Sequence, residues 1–455
     1  MIGRLLIENA AIATVDAAGT EHASGHVVVT GDRITAVGAG PAPAYRDDLP
    51  TRRVDGTGCL ATPGLVNAHH HLYQWATRGL ATDEGLFDWL THLYPVWGRL
   101  DSGVVHATTR AGLAWLALGG CTTSSDHLYV FPGGAADLLD VSVAAAREIG
   151  LRFDPCRGSM DLGASAGGLP PDEIVEDVDT VVTATEKAIA THHDPSPGSL
   201  TRIGVGPCSP FSATRELLLA SAELARGHGV RLHTHLAETR DEDAYCRQRF
   251  GTDPVSYLDS LGWLGRDVWL AHVVHAGDAG IARLAATGTA VAHCPSSNAR
   301  LGSGIAPLRP LLDAGVPVGI GVDGPASQES GVQVEELRQA LYVARLRDGA
   351  TALTPRQALA LGTIGGASCL GRADEIGSLE VGKLADIALW RLDDLGHADI
   401  ADPVAALVLG PRAPLRLATV GGRPVVEDGR LVTADPDQLA ASATAAARRL
   451  AEATR

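Results

Sequence analysis

Between residues 64 and 322 the chain repeats one pattern eight times: a short apolar run of strand-like composition, followed in most cases by a helical stretch. The runs are 64–68, 122–128, 151–155, 202–206, 230–235, 268–272, 290–293 and 317–322. Helical segments follow at 137–149, 214–227, 276–286 and 307–314, among others. Strands alternating with helices read as parallel βαβ units. Eight units over roughly 300 residues fit an α/β fold of the (β/α)8 barrel type, which needs about 250. A doubly wound open sheet is the alternative, and the count of eight favours the barrel.

The two ends of the chain read differently. Residues 1–60 hold short β-rich pieces at 5–7, 10–15, 26–30, 33–37 and 53–55, separated by Gly, Asp and Pro. Gly31-Asp32 between Val-rich runs is a hairpin signal. Residues 377–390 and 406–431 repeat the style, with turns at Gly421-Gly422 and Asp428-Gly429. One small β-sandwich domain built from both ends, 1–60 plus 372–455, is the economical reading, around a barrel domain at 61–371. An Ala-rich helix at 436–451 reads as a packing or interface helix.

A formal charge of −16 argues against a nucleic-acid partner, whose phosphates need clustered Lys and Arg. The start of the chain reaches Glu8 after one Arg and a short apolar run, unlike a signal peptide. No apolar run approaches the ~20 residues of a membrane span. The seven cysteines are widely spread and form no C-x-x-C pair, which fits a reducing cytoplasm.

In a barrel of this kind chemistry gathers at the C-terminal ends of the strands. There the sequence puts His69, His71, Asp126, His127, Cys208, His235, His272, His293 and Asp323. On an extended segment alternate residues share a face, so His69 and His71 point one way and His70 the other. His233 and His235 share a face likewise, and Glu238 stands three residues beyond His235. Imidazoles paired at strand ends are half of a metal site, and a carboxylate beside a metal ligand can handle a proton. Either His272 or His275 should face the site; His272 is favoured because it ends its apolar run. Asp323 emerges from an apolar strand, where an unpaired carboxylate is costly, so a metal or proton partner is expected. Gly319-Ile320-Gly321-Val322-Asp323-Gly324 matches G-x-G-x-x-G in form only: Pro325 follows instead of a helix, and the segment is the last strand. The stretch 72–99 concentrates Tyr73, Trp75, Phe87, Trp89, Tyr94 and Trp97 in a chain only 4% aromatic. It reads either as a covering helix with a buried apolar face or as the lid of a pocket for a flat ligand.

Taken together, Pro63-Gly64-Leu65-Val66-Asn67-Ala68-His69-His70-His71, His235-Leu236-Ala237-Glu238, Ala271-His272 and Val322-Asp323-Gly324-Pro325-Ala326-Ser327 resemble the amidohydrolase superfamily. The resemblance covers nearly the whole chain. Within the superfamily the chain is similar to the guanine deaminase, S-adenosylhomocysteine deaminase and triazine hydrolase branch. Residues 119–129 and 67–74 bring it nearest to 8-oxoguanine deaminases, some of which also accept isocytosine. The resemblance implies one divalent metal, zinc first and Fe2+ second, held by His69, His71, His235 and Asp323. Two-metal members bridge their ions with a carboxylated lysine. The two lysines here, Lys187 in a polar helical stretch and Lys383 in the terminal β region, do not qualify.

The implied activity is metal-dependent hydrolysis of a cyclic amidine C–N bond, first 8-oxoguanine to urate and ammonia, with guanine and isocytosine beside it. Asp323 takes the proton of the attacking water and later passes it to ammonia. Glu238 protonates a ring nitrogen, and His272 hydrogen-bonds the attacking oxygen. Gln74 and Cys208 are the substrate-binding residues carried over or inferred by position. Cys208 replaces the Arg-Phe pair of guanine deaminases, and Gln328-Glu329-Ser330 stands where the 8-oxoguanine branch is expected to carry Asn-Asp-Ser. A triazine-type amino- or chlorohydrolase acting on hydroxyatrazine-like substrates is the alternative, and a non-catalytic assembly protein is a third reading. The partner expected is a small heterocycle, with no nucleic acid and no membrane, and a homo-oligomer by analogy with the scaffold.

Overall fold

The computed structural model describes residues 3–45, 47–135 and 137–453; Met1 and Ile2 of the start discussed above lie outside them. The front of the chain forms β1 (Arg4–Ala13), β2 (Glu21–Thr30), β3 (Arg33–Ala39), β4 (Thr51–Asp55) and β5 (Cys59–Pro63). The eight expected barrel strands follow as β6 (Leu65–Asn67), β7 (Cys121–Leu128), β8 (Arg152–Ser159), β9 (Gly204–Pro207), β10 (Leu232–Leu236), β11 (Val268–His272), β12 (Ala290–His293) and β13 (Val318–Ile320). The far end adds β14 (Ile387–Arg391), β15 (Leu415–Val420), β16 (Arg423–Glu427) and β17 (Arg430–Leu431).

Both ends meet in one mixed sheet of order β17-β16-β15-β14-β5-β1-β2-β3, with β4 beside β1. The seam is β5 against β14, antiparallel from Pro63–Ile387 to Cys59–Arg391. Leu5, Ile7, Val27, Val29, Ile387 and Leu389 bury together, while Leu60, Ala388 and Trp390 turn to the main core. That is the two-residue period of a sheet with apolar side chains on both faces. The two expected pieces at 5–7 and 10–15 form a single strand, β1. Its register shifts after Glu8 and again after Ala10, with Asn9 between them at φ 62°, a bulge that keeps the pairing continuous.

β6 to β13 pair in sequence order, all parallel. The ring is joined where first and last strands meet: Ala68 N–H donates to the Ile320 carbonyl (2.9 Å) and Asp323 N–H to that of His69 (3.0 Å). Asn67 Oδ1 accepts Val322 N–H (2.9 Å) across the same seam. An open doubly wound sheet reverses its strand order at a switch point, and this order never reverses. Along β10 to β12 the period of two separates the layers. Leu232, Leu236, Leu270 and Val291 face the helices, and Trp269, Ala290 and Ala292 pack inside. The glycines of the last strand are packing glycines. A Cβ on Gly319 would lie 2.7 Å from Gly366 Cα, and one on Gly321 would lie 2.6 Å from His69 Cβ.

α1 (Leu86–Trp97) lies over the barrel mouth, and α2 (Ser102–Leu118) runs beside the closing helix Pro436–Ala453. That closing helix buries Leu439, Ala443 and Ala446, so it packs on the body of the protein. Among the described residues no helix is long and apolar enough to cross a membrane.

The terminal sheet is pinned to the barrel by Arg152, whose Nε and Nη2 donate to the two carboxylate oxygens of Asp386 (2.7 and 3.0 Å). Both side chains are buried. Removing one partner of a buried pair strands the other charge and costs about 3–5 kcal/mol. Asp386→Ala is therefore expected to lower unfolding stability by that amount, read from the urea midpoint.

Candidate metal centre and active site

The chain leaves β6 in extended form, and His69 and His71 emerge into one cluster with their rings edge to face at 4.7 Å. His235, near the end of β10, stacks on His71, and its Nε2 lies 3.0 Å from His71 Nε2. Asp323 Oδ1 lies 3.3 Å from both His69 Nε2 and His71 Nε2. The backbone is strained to bring these groups in. His272 and Asp323 take left-handed φ of 72° and 70°, as do Ala237 (52°) and Val273 (49°). Non-glycine residues rarely adopt this region, and it recurs at functional sites.

Hydrogen bonds fix which nitrogens are free. The Nδ1 atoms of His71 and His235 lie 2.7 Å from the carbonyls of His127 and Cys208. A carbonyl only accepts, so each Nδ1 carries the proton and each Nε2 a lone pair. His233 Nδ1 likewise donates to the Trp269 carbonyl (2.8 Å), leaving its Nε2 to accept from His69 Nδ1 (2.8 Å). His69 Nε2 is then a lone pair too, and it is buried without a partner. Three imidazole lone pairs and a carboxylate oxygen converge, with no hydrogen between the facing Nε2 atoms of His71 and His235. Such a set repels itself unless a cation sits among it, and three His with one Asp suits a divalent ion such as zinc. His127 adds a further ring. It stacks on His235 at 5.0 Å, donates from Nε2 to the Gly206 carbonyl (2.7 Å), and lies in the same candidate cluster as His69, His71 and His235. His70 lies outside that cluster, and Lys187 is exposed on the helix Val178–His192.

Beside the cluster stand His272 and Glu238. His272 Nε2 is 3.6 Å from Glu238 Oε2 and 3.8 Å from Asp323 Oδ2, and its Nδ1 donates to Asn298 Oδ1 (2.9 Å). His275 turns away to the Ser303 carbonyl (2.8 Å). Burial pushes the Glu238 carboxyl up to about 7. Burial also pushes on Asp323, but the histidines around it win and hold it well below the usual carboxylate range. His272 is driven down by burial and up by Glu238 and Asp323, and ends raised. Two carboxylates in one site are thus pushed in opposite directions, the arrangement acid–base chemistry needs.

The sequence reading missed Glu242, which holds the Glu238 loop, and named Asp126 without its supporting role. Glu242 accepts the backbone N–H of Ala237 (2.8 Å) and of Glu238 (2.7 Å). It stands three residues after Thr239, whose hydroxyl caps the helix Arg240–Phe250 through the N–H of Glu242. The Thr-x-x-Glu spacing was the legible signal. Asp126 Oδ1 accepts Leu72 N–H (2.8 Å) and steadies the turn after His71.

The pocket above the cluster is lined by Gln74, Cys208, Glu238, His272, Asp323 and Ser327, under a roof of Leu86, Trp89, Leu90, Phe211 and Leu301. Both readings of the aromatic stretch hold in part. Trp89 joins the roof, while Tyr73, Tyr94 and Trp97 pack edge to face in the core. The free space is about 30 Å³, room for an ion or a single water. Gln74 packs against Gly324, where a Cβ would fall within 1.8 Å of its Oε1. Cys208 presents its side chain to the pocket and its carbonyl to His235. Burial pushes its thiol up to about 12, which leaves it un-ionised. Gln328 is turned from the pocket and donates to Glu336 (2.6 Å), so the departure at 328–330 sits behind the wall.

Residues 60–422 match the Amidohydrolase family. The chain is 46% identical to the 8-oxoguanine deaminase of Pseudomonas aeruginosa over 96% of its own length and 97% of that protein's. It is 37% identical to the hydroxydechloroatrazine ethylaminohydrolase of a Pseudomonas species, over 87% and 84%. Its fold superposes on the atrazine chlorohydrolase of Arthrobacter aurescens, solved with zinc, at a TM-score of 0.92 and 36% identity, covering 97% of this chain and all of that one. A barrel with a histidine-rich centre at its mouth, matched over most of its length in sequence and structure, places this chain in the amidohydrolase family.

Proposed function

We propose that the protein is a zinc-dependent hydrolytic deaminase of an amino-substituted purine, converting 8-oxoguanine and water to urate and ammonia. The 46% identity to an 8-oxoguanine deaminase over nearly the full length of both chains carries this reading. His69, His71, His235 and Asp323 are the metal ligands assigned, in a catalytic domain of 61–371 flanked by 1–60 and 372–455. When bound, a divalent ion brings the pKa of a water from about 15.7 towards 7. Asp323, ionised in the folded protein, accepts the proton of the attacking water. Glu238, its carboxyl raised by burial, donates to the ring nitrogen beside the amino-bearing carbon. His272 hydrogen-bonds the incoming oxygen, and Asp323 returns its proton to the departing ammonia. Gln74 and Cys208 contact the ring edge. The assembly is a homo-oligomer, and the compartment is the cytoplasm, where seven buried free thiols are at home.

A second reading rests on the triazine-hydrolysing relatives, in which the heterocycle is a triazine. Steady-state ammonia or amine release from 8-oxoguanine, guanine, isocytosine and hydroxyatrazine separates the two. The highest kcat/KM is expected on 8-oxoguanine; a higher value on hydroxyatrazine would reverse the assignment.

A pH dependence follows from Glu238. The acting form carries the proton, and its carboxyl sits at about 7, not near 4.5. kcat/KM is therefore expected to fall above pH 7, approaching ~tenfold per pH unit. A profile flat from pH 6 to 9 would remove Glu238 as the proton donor.

A further inference from the structure

The opposite mouth of the barrel holds a second cavity, of about 320 Å³, formed where β8 to β11 begin. Asp154, His193, Arg202, Arg231, Trp269 and Gly371 are among its walls. Its charge is out of character for a chain of net −16. Arg231 Nη1 donates to the Arg266 carbonyl (3.0 Å), but Nε is buried and makes no hydrogen bond. Arg231 forms no ion pair among the described residues: Asp267 and Asp154 act on it only from longer range, and burial outweighs them and holds its pKa below the ordinary value. Arg202 is similar in part: Nη2 pairs with Glu375 (2.6 Å), and Nε is buried without a partner. Asp154 does not neutralise them, because both its oxygens are taken by Arg372 at 2.7 Å. His193 Nδ1 accepts Ile203 N–H (3.0 Å), so its Nε2 carries the proton and is a third donor.

A buried guanidinium N–H left unmade is costly. Arg231 and Arg202, each with an unmade N–H, line one cavity with an imidazole donor beside them, and such a basic wall makes a receptor for an oxyanion. Guanidinium recognises phosphate through paired N–H donors. The volume leaves room for a small group attached to the anion. We propose that this cavity binds a phosphate group, free or carried on a small molecule, through Arg231, Arg202 and His193. The site lies across the barrel from the metal centre and does not depend on which heterocycle is hydrolysed there.

Isothermal titration of the metal-loaded protein with inorganic phosphate and with phenyl phosphate, against sodium chloride of equal ionic strength, tests it. Saturable binding and a rise in Tm are expected with phosphate and absent with chloride. Tighter binding of phenyl phosphate marks a phosphate ester as the ligand, and equal binding marks the free ion. Arg231→Met should weaken binding about tenfold or more, the worth of a charge-assisted hydrogen bond, with deamination unchanged. Without phosphate, Arg231→Met gives up the Nη1 bond to the Arg266 carbonyl and should melt slightly lower, so the deciding readout is the phosphate-induced rise in Tm, which should be lost in this variant and would persist if the arginine were merely structural. Arg231→Lys, which keeps the charge and loses the fork, should fall between. No saturable binding to the unaltered protein, or binding unaffected by both variants, would make the cavity a water-filled void.

Discussion

Glu238→Gln is expected to leave the metal content at one ion per chain and to lower kcat on 8-oxoguanine by about 10²–10⁴-fold, the usual worth of a positioned proton donor. The change is nearly isosteric, and the backbone N–H that Glu242 holds is untouched, so the loop keeps its place. What goes is the transferable proton. The amide can still hydrogen-bond a ring nitrogen, so KM should move far less than kcat, which marks an interaction made in the transition state. The alkaline fall in kcat/KM should vanish with the carboxyl. Metal analysis of the same preparation separates this result from a lost ion, and turnover unchanged by the substitution would remove Glu238 from the chemistry.

Loss of the ion itself should be larger still. His71→Ala removes one of the facing Nε2 atoms and the ring that His235 stacks on. Purified protein is expected to carry well under one metal per chain and to show no measurable deamination. The same applies after dialysis of the unaltered protein against a chelator, with activity returning on addition of zinc. Folding should register the loss as well. An ion held at a thousand times its Kd adds about 4 kcal/mol to the folded state, so the chelated protein should melt several degrees lower. His233→Ala belongs with this set. It touches no ion but fixes the tautomer of His69, and outer partners of this kind are worth about 10–100-fold in metal affinity. Equilibrium competition with a chromophoric chelator reads that directly.

The barrel was legible because its strands are buried on both faces, which writes each as an unbroken apolar run. His69, His71, His235, His272, Glu238 and Asp323 were legible because strand ends are where such a run stops, and because few residue types suit the chemistry. Their supports were not. His71, His233 and His235 are each oriented by a backbone carbonyl, and any residue supplies one. Cys208 illustrates this: its side chain marked the position, yet its carbonyl is what holds His235. The roof was legible only through Trp89 in the aromatic stretch. Leu86, Phe211 and Leu301 are apolar residues from three distant segments, and only the closed fold distinguishes them from core.

The seam between β5 and β14 sets a timetable for synthesis. Pro63 pairs with Ile387, so at about 5–20 residues per second the early strands wait on the order of tens of seconds for their neighbour to leave the ribosome. Through that interval β5 offers an open row of amides and carbonyls, the kind of edge on which nascent chains join one another. The metal centre is complete in sequence once Asp323 has been made, well before the sheet is. A product cut short ahead of β14 would therefore contain the whole histidine and carboxylate cluster and still lack the strand that covers this edge.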